Sequence, residues 1–201
     1  MGSKNVNWLK ISGVCGILAP IVAFTFILLA ILNSPQFSWT EKALSDLGVQ
    51  EGVTATLFNS GLMIAGILLL VFVSGLFVLQ KTMLGRIGVF ISVLAALALV
   101  AIGTFPESVE PTHYYVSVAF FLLLLVSMLV IGATFLLTAR VELGFFTFLA
   151  AIVAALVWIM QWTIGFGSDV AIPETLSALS ASTWSIVLGF QMLKQGSRSN
   201  K

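Results

Sequence analysis

Charge is what this sequence has least of. Asp, Glu, Lys and Arg make up 8% of its 201 residues, whereas 59% of the residues are hydrophobic. A soluble domain has roughly a quarter of its residues charged, so this chain cannot cover itself with polar surface and its solvent is lipid. Long uncharged runs recur, and about 20 apolar residues cross the hydrocarbon core as a helix that satisfies its own backbone. The sequence predicts an all-α integral membrane protein.

Cysteine and histidine are almost absent, which excludes several kinds of site. The one cysteine, Cys15, cannot form an intrachain disulfide, and the one histidine, His113, cannot build a multi-histidine zinc centre. Carboxylates could still complete a mixed site, so a divalent cation is a candidate cofactor, with His113, Asp46 and Glu174 as its ligands. The net charge is +1 and no basic patch carries interleaved aromatics, so nucleic acid is not an expected partner.

Runs between charged residues divide the chain into six predicted transmembrane helices. They cover about 11–33, 54–80, 84–105, 113–139, 143–166 and 173–193. The connections after the second and fourth spans are very short, so the spans on either side of each are antiparallel neighbours. No linker or low-complexity segment interrupts them, and we expect residues 1–201 to form a single transmembrane domain.

The charges sort by side of the membrane. Of the nine Lys and Arg residues, only Lys42 falls on the side opposite to the rest, and of the eight acids only Glu142 falls on the cation-rich side. The positive-inside rule then places both termini in the cytoplasm of a multi-pass protein in the cell membrane. Polarity of the outer loops explains part of the clustering of acids, and a functional acidic site is the other explanation.

The first outer connection carries a capping-box pattern, Ser38 followed by Glu41, which predicts the start of a short helix. Apolar residues on one stripe and a stop at Gly48 predict a short amphipathic helix lying at the membrane interface. Asp46 would then lie in its last turn, where the helix dipole disfavours an acid. Asp46 is therefore a candidate functional residue.

The other polar residues converge on the same outer half. His113 follows the "TFPESVEP" connection and opens span 4, and Glu174 opens span 6, where Ser177, Ser180 and Trp184 share its stripe. Hydroxyls in spans usually join helices together. We expect Thr25, Asn59 and Gln161 to face the bundle interior, since an intramembrane polar side chain needs a partner.

Two outer segments also resemble each other. "SDLGVQEGVTA" (45–55) and "SDVAIPETLSA" (168–178) align without gaps, and each precedes a span that runs inward. A duplicated two-span unit is one explanation. It would place Asp46 and Glu51 opposite Asp169 and Glu174 in equivalent positions.

Four blocks carry a family resemblance: "W…ALSDLG" from Trp39, "LFNSG" at 57–61, "GTFPE…H" from Gly103, and "IPE…W" from Ile172. On these the chain resembles the prokaryotic six-span membrane proteins grouped as domain of unknown function 998. The resemblance covers nearly the whole chain and implies a six-span fold but no activity. It implies that Asp46, Asn59, Glu107, His113 and Glu174 occupy the family's motif positions.

Two functions of different class fit this pattern best. One is binding or sensing: an outward-facing acidic pocket would hold a cation, a lipid headgroup or a small polar ligand. Its candidate residues are Asp46, Asn59, Glu107, His113, Asp169 and Glu174. The other is a membrane-embedded hydrolase or transferase acting on lipid at the outer leaflet, with His113 as general base, Asp46 or Glu107 as its orienter or acid, and Ser45 as the nearest nucleophile. A transporter or channel is less favoured because the inner halves of the spans lack polar groups.

Overall fold

The computed structural model describes residues 3–198, which contain six long α-helices and no β-strand. The helices are α1 (Ser3–Leu32), α2 (Val53–Leu79), α3 (Met83–Thr104), α4 (Thr112–Leu137), α5 (Val141–Thr163) and α6 (Ala171–Arg198). Each is long and apolar enough to cross a membrane. The predicted all-α, six-span fold is confirmed, and α1 and α6 extend past the predicted spans at the ends nearest the termini.

The six helices form a ring in chain order. Each packs mainly against its neighbours in sequence, and α6 packs against α1 to close the ring. The short links 80–82 and 138–140 lie at one end, together with the start of α1 and the end of α6; we call this the basic end. The longer connections 33–52, 105–111 and 164–170 lie at the other, which we call the acidic end.

Polar contacts join α5 to α6 in the middle of the bundle. The Ser180 hydroxyl donates to the Ala150 carbonyl over 2.7 Å, and Trp184 Nε1 donates to Thr147 Oγ1 over 3.2 Å. The Trp184 ring also meets Phe72 of α2 edge-on, with 6.0 Å between ring centroids. The α6 hydroxyl stripe therefore joins helices at Ser180, as predicted.

The first connection differs from the helix predicted over 38–48. Turns occupy its first half, and a short 3₁₀ helix covers Ser45–Val49 instead. The Ser38 hydroxyl pairs with Thr40 Oγ1 at 3.3 Å and caps no helix. Gly48 is not the C-terminal stop of a helix, because the 3₁₀ helix continues through it to Val49. Gly48 is instead buried against Asn59, and a Cβ at Gly48 would lie 2.6 Å from Asn59 Oδ1.

Tertiary hydrogen bonds explain why the α-helix does not form. The Thr40 carbonyl accepts from Ser168 N over 2.7 Å, and the Lys42 carbonyl accepts from Ala171 N over 3.0 Å. Leu44 N donates to Glu174 Oε2 over 2.7 Å. These backbone groups would otherwise pair within a helix. We call this contact between residues 40–44 and 167–174 the seam.

Asp46 consequently lies at the opposite end of its helix from the one predicted. It is in the first turn of the 3₁₀ helix, where its Oδ2 accepts from Ala43 N over 3.0 Å. The Lys42 ammonium lies 3.9 Å from the same oxygen. The local backbone therefore stabilises Asp46, and the argument that its position conflicts with the helix dipole was wrong.

The two similar segments also take different structures. In the alignment Glu51 corresponds to Glu174, but Glu51 is exposed and precedes α2, whereas Glu174 lies within the first turn of α6 and is partly buried. The predicted equivalence of these two acids is therefore not observed.

Candidate functional site

A cavity of about 120 Å³ extends from the seam to the middle of the bundle. Helices α1, α2, α3, α4 and α6 line it, together with Leu44 and Ser45. Its wall is almost entirely apolar and includes Phe24, Leu62 and Trp184. Between Glu174 and Ser185, which both line it, α6 rises about 16 Å, or roughly the depth of one lipid leaflet. The lining of the cavity is therefore suited to apolar groups.

Glu174 is the one ionisable side chain in that lining. The N–H of Leu44 is the one donor that residues 3–198 give to its carboxyl group, and it occupies Oε2. The second oxygen is left to accept from another molecule. Since α6 begins three residues earlier, the carboxyl lies where the cavity meets the seam. A ligand whose polar group met Glu174 would extend its apolar part towards Trp184.

Three more acids lie near Glu174 at the acidic end but outside the cavity lining. Asp46 is held by Ala43 N and Lys42, as above. Asp169 Oδ1 accepts from Val170 N over 2.8 Å, and its carbonyl accepts from Gln161 Nε2 over 3.2 Å. Glu107 has one carboxylate oxygen, Oε2, that is buried without a hydrogen-bond partner within residues 3–198. The acidic end thus places four carboxyl groups close to one another at the top of the bundle.

Burial raises the pKa of Glu107, and repulsion from Asp46, Asp169 and Glu110 raises it further, while attraction to His113 lowers it. Folding therefore favours the protonated carboxyl. The associated stability is complete below the ordinary pKa of 4.5 and is lost as the pH rises through the higher pKa of the folded protein.

We expect Glu107→Gln to remove this loss, because the amide stays neutral at every pH. Thermal unfolding in detergent between pH 4 and pH 8 should show the variant more stable than the parent at pH 8, by roughly 2–4 °C, with the gap closing near pH 4. Partial exposure screens the charges and keeps the effect small. Glu51→Gln removes an exposed acid from the same end and should show no such gap. A constant offset at all pH values would contradict the assignment.

Asn59 connects two elements at the acidic end. Its Nδ2 donates to the Gly48 carbonyl over 2.9 Å, which ties the 3₁₀ helix to α2. Its Oδ1 is buried and has no hydrogen-bond partner within residues 3–198. Asn59 and Gln161 are both partly buried and bond to protein groups, but their partners lie in the outer connections and not in the middle of the bundle. Thr25 is exposed. The interior position predicted for Thr25 was wrong.

His113 is buried, with 5% of its surface exposed, in the first turn of α4. Its Nδ1 lies 2.7 Å from the Phe105 carbonyl, which only accepts, so in the neutral ring Nδ1 carries the proton. Nε2 is then an acceptor and lies 3.3 Å from the Ser117 hydroxyl. Ser117 also lines the cavity. Hydrogen bonds thus connect a hydroxyl that lines the cavity to an imidazole and, through it, to a carbonyl.

Sequence reasoning chose Ser45 as the nearest nucleophile and missed Ser117. The signal was available, because His113 and Ser117 are four residues apart and lie on one face of a helix. Most other helix serines donate to carbonyls of their own helix, as Ser92 and Ser127 do. Ser117 bonds to the imidazole instead, and the i, i+4 pairing distinguishes it.

The predicted site residues are therefore close together but are not all in one pocket. Glu174 lines the cavity, while Asp46, Asp169 and His113 act electrostatically on Glu107 beside it. Within residues 3–198 no three His, Cys, Asp or Glu side chains are grouped so that they could hold a metal ion. The trio His113, Asp46 and Glu174 accordingly does not have the geometry expected of a metal site.

Comparison with known proteins gives one match. Residues 17–191 match a family described as Protein of unknown function (DUF998). The matched range contains all four motif blocks identified in the sequence. No curated protein and no solved structure matches the chain.

Proposed function

The chain belongs to the DUF998 family and is a multi-pass membrane protein, and we propose that it binds an amphipathic lipid through the cavity at its acidic end. The observation that carries the proposal is a single carboxyl group, Glu174, at the seam end of a cavity whose wall is otherwise almost entirely apolar. Ligand pockets typically pair an apolar lining with a few polar groups that fix orientation. A lipid chain fits this lining better than a bare cation or a small polar solute.

The acids around Glu174 determine which lipid headgroup the site would accept. Glu174, Glu107, Asp46 and Asp169 are all acids, so an anionic phosphate there would be repelled, whereas an amine or a hydroxyl would donate to the open oxygen of Glu174. We therefore propose a lipid with an amine-bearing or hydroxylated head. Binding of such a lipid is the proposed role, in sensing or in carrying it at the membrane.

Three single-chain amphiphiles of equal length test this proposal. Purified protein in a non-ionic detergent is titrated with dodecylamine, dodecanol and dodecanoate while thermal unfolding is followed. The amine and the alcohol are expected to raise the melting temperature. Dodecanoate is expected to have little effect, because it would bring a fifth carboxyl group to the four acids at this end. Equal shifts with all three would show that Glu174 does not select the head.

The orientation of the termini and the identity of the membrane are also proposals. The cations at the basic end favour a cell-membrane protein with both termini in the cytoplasm. With Cys15 replaced by serine, a cysteine at the exposed Val109 should react with an impermeant maleimide in intact cells, and one at Lys81 should not. The reverse labelling would invert the topology.

A second candidate function rests on the Ser117–His113 pair. His113 Nε2 is placed to take the Ser117 proton as the hydroxyl oxygen attacks an ester carbonyl, and the same proton would then pass to the departing alcohol. Water would release the acyl group from Ser117. Such chemistry needs an ester in the cavity beside Ser117.

Labelling with a fluorophosphonate distinguishes this function from simple binding. If Ser117 is activated, the parent protein is expected to be labelled, Ser117→Ala should lose the label, and His113→Gln should be labelled at least 100-fold more slowly. Ser45→Ala is the matched control and should be labelled normally. Absence of label on the folded parent protein would leave lipid binding as the function.

A further inference from the structure

A second pocket lies at the basic end of the bundle, far from the cavity described above. It has a volume of about 390 Å³ and lies between the end of α2, the α4–α5 link and the last turns of α6. Arg140, Lys194, Gln191 and Gln195 supply its polar lining. Leu79, Phe135, Leu143 and Leu188 supply its apolar lining. Every polar group in the set is a side chain with N–H donors, and none is an acid.

The turn between α4 and α5 fixes Arg140 at this pocket. Ala139 adopts a left-handed conformation with φ 58°, and Arg140 N donates to the Phe135 carbonyl over 2.8 Å. This is the hydrogen-bonded helix end known as the Schellman motif. The guanidinium carbon then lies 6.0 Å from the centre of the buried Phe135 ring. Backbone and ring together orient Arg140 before any ligand binds.

The positive charge of the pocket is not neutralised by any residue between 6 and 197. All eight Asp and Glu residues lie in that range, and the one ion pair described there joins Lys42 to Asp46 at the other end. Within residues 6–197, Arg140 and Lys194 therefore have no carboxylate partner. Two unpaired cations facing one pocket at a membrane surface attract an anion, and each contributes favourably near anionic lipid.

The apolar part of the lining points to the source of that anion. Phosphate in solution would gain nothing from Leu79, Leu143 or Leu188, whereas a phospholipid carries its glycerol and acyl chains directly below its phosphate. Arg and Gln donors suit phosphate oxygens, since a guanidinium binds them in a fork. We propose that this pocket binds the phosphate of an anionic phospholipid at the membrane surface of the basic end. The proposal is independent of the function proposed for the acidic end.

Lipid titration of the purified full chain tests the proposal. The parent protein in non-ionic detergent is titrated with dioleoyl phosphatidylglycerol, with dioleoyl phosphatidylcholine and with inorganic phosphate, and bound lipid is counted by native mass spectrometry. Phosphatidylglycerol is expected to bind and the other two are not. Binding of inorganic phosphate with the same affinity as phosphatidylglycerol would show that the site takes a soluble anion. Equal binding of both lipids would show that binding does not depend on the charge of the headgroup.

A charge-matched pair of variants locates the site. The double variant Arg140→Gln, Lys194→Gln is expected to weaken phosphatidylglycerol binding about 25-fold, because each cation contributes about fivefold. Lys81→Gln with Arg86→Gln removes the same charge from the same end, outside this lining, and should retain nearly parental affinity. Equal losses in both would overturn the proposal. If the first variant does not fold, Lys194→Gln alone, at an exposed helix position, should still bind about fivefold more weakly, and parental affinity there would overturn it.

Discussion

The Gly167→Ala protein is expected to unfold about 10 °C below the parent. A Cβ at Gly167 would overlap the backbone of Thr40, including its carbonyl oxygen, and backbone cannot yield as a flexible side chain can. The conflict would separate residues 40–44 from 167–174 and break the Ser168 N to Thr40 bond. Overpacking and the lost hydrogen bonds together cost about 3 kcal/mol, which corresponds to about 10 °C in a chain of this length.

Thermal unfolding in detergent checks this expectation, with Ser168→Ala as the control. That variant loses the exposed hydroxyl, whose bond to the Thr40 carbonyl is 3.2 Å long, but keeps the backbone bond of the seam. It should unfold within about 2 °C of the parent. If Gly167→Ala is as stable as Ser168→Ala, residues 40–44 are not held against 167–174 in the way described.

Glu174→Gln and Glu174→Ala are expected to lose lipid binding alike but to differ in stability. Both remove the carboxylate that would pair with an amine, so dodecylamine should bind roughly 10–100-fold more weakly to each. The glutamine carbonyl can still accept from Leu44 N, whereas alanine leaves that buried N–H without a partner, at a cost of about 2 kcal/mol. Glutamine should therefore leave the melting temperature nearly unchanged, and alanine should lower it by about 6 °C.

The control for this pair is Glu51→Gln, an exposed acid at the same end. It should keep parental affinity for dodecylamine and parental stability. Retained affinity in Glu174→Gln would place the amine elsewhere. Equal destabilisation by glutamine and alanine would instead mean that the carboxyl group is needed in its charged form to hold the seam.

The sequence was sufficient to predict the six helices, because each depends on a property local to one segment. An uncharged run long enough to span lipid has one stable backbone conformation, whatever it packs against. The short links 80–82 and 138–140 likewise determine which helices are adjacent. The side on which Lys, Arg and the acids lie followed from the order of the spans alone.

The connection at 38–48 could not be predicted in the same way. Its capping box is a local signal, but its backbone pairs with residues more than 120 positions away, as Leu44 does with Glu174. Tertiary bonds override local propensity where both compete for the same N–H and C=O groups. The error at Asp46 followed directly, because its place in a helix was inferred from the helix that did not form.

The cavity could not be predicted from the sequence either. Its wall comes from five helices, and residues such as Phe24, Leu62 and Trp184 resemble any other apolar residues of the spans. Clustering of acids on one side did predict that Asp46, Glu107, Asp169 and Glu174 would lie near one another. It did not indicate that Glu174 alone would face the cavity, which depends on how α6 is rotated in the ring.

The most direct test of the proposed lipid site is to map where a bound amphiphile lies. A dodecylamine analogue with a diazirine near the end of its chain is bound to the purified protein, photolysed and located by peptide mass spectrometry. The proposal predicts crosslinks at cavity-lining residues near mid-bundle, such as Leu69 and Trp184, and their loss with excess dodecylamine or in Glu174→Gln. Crosslinks confined to lipid-facing residues such as Ile21 and Leu122, with no competition, would contradict it.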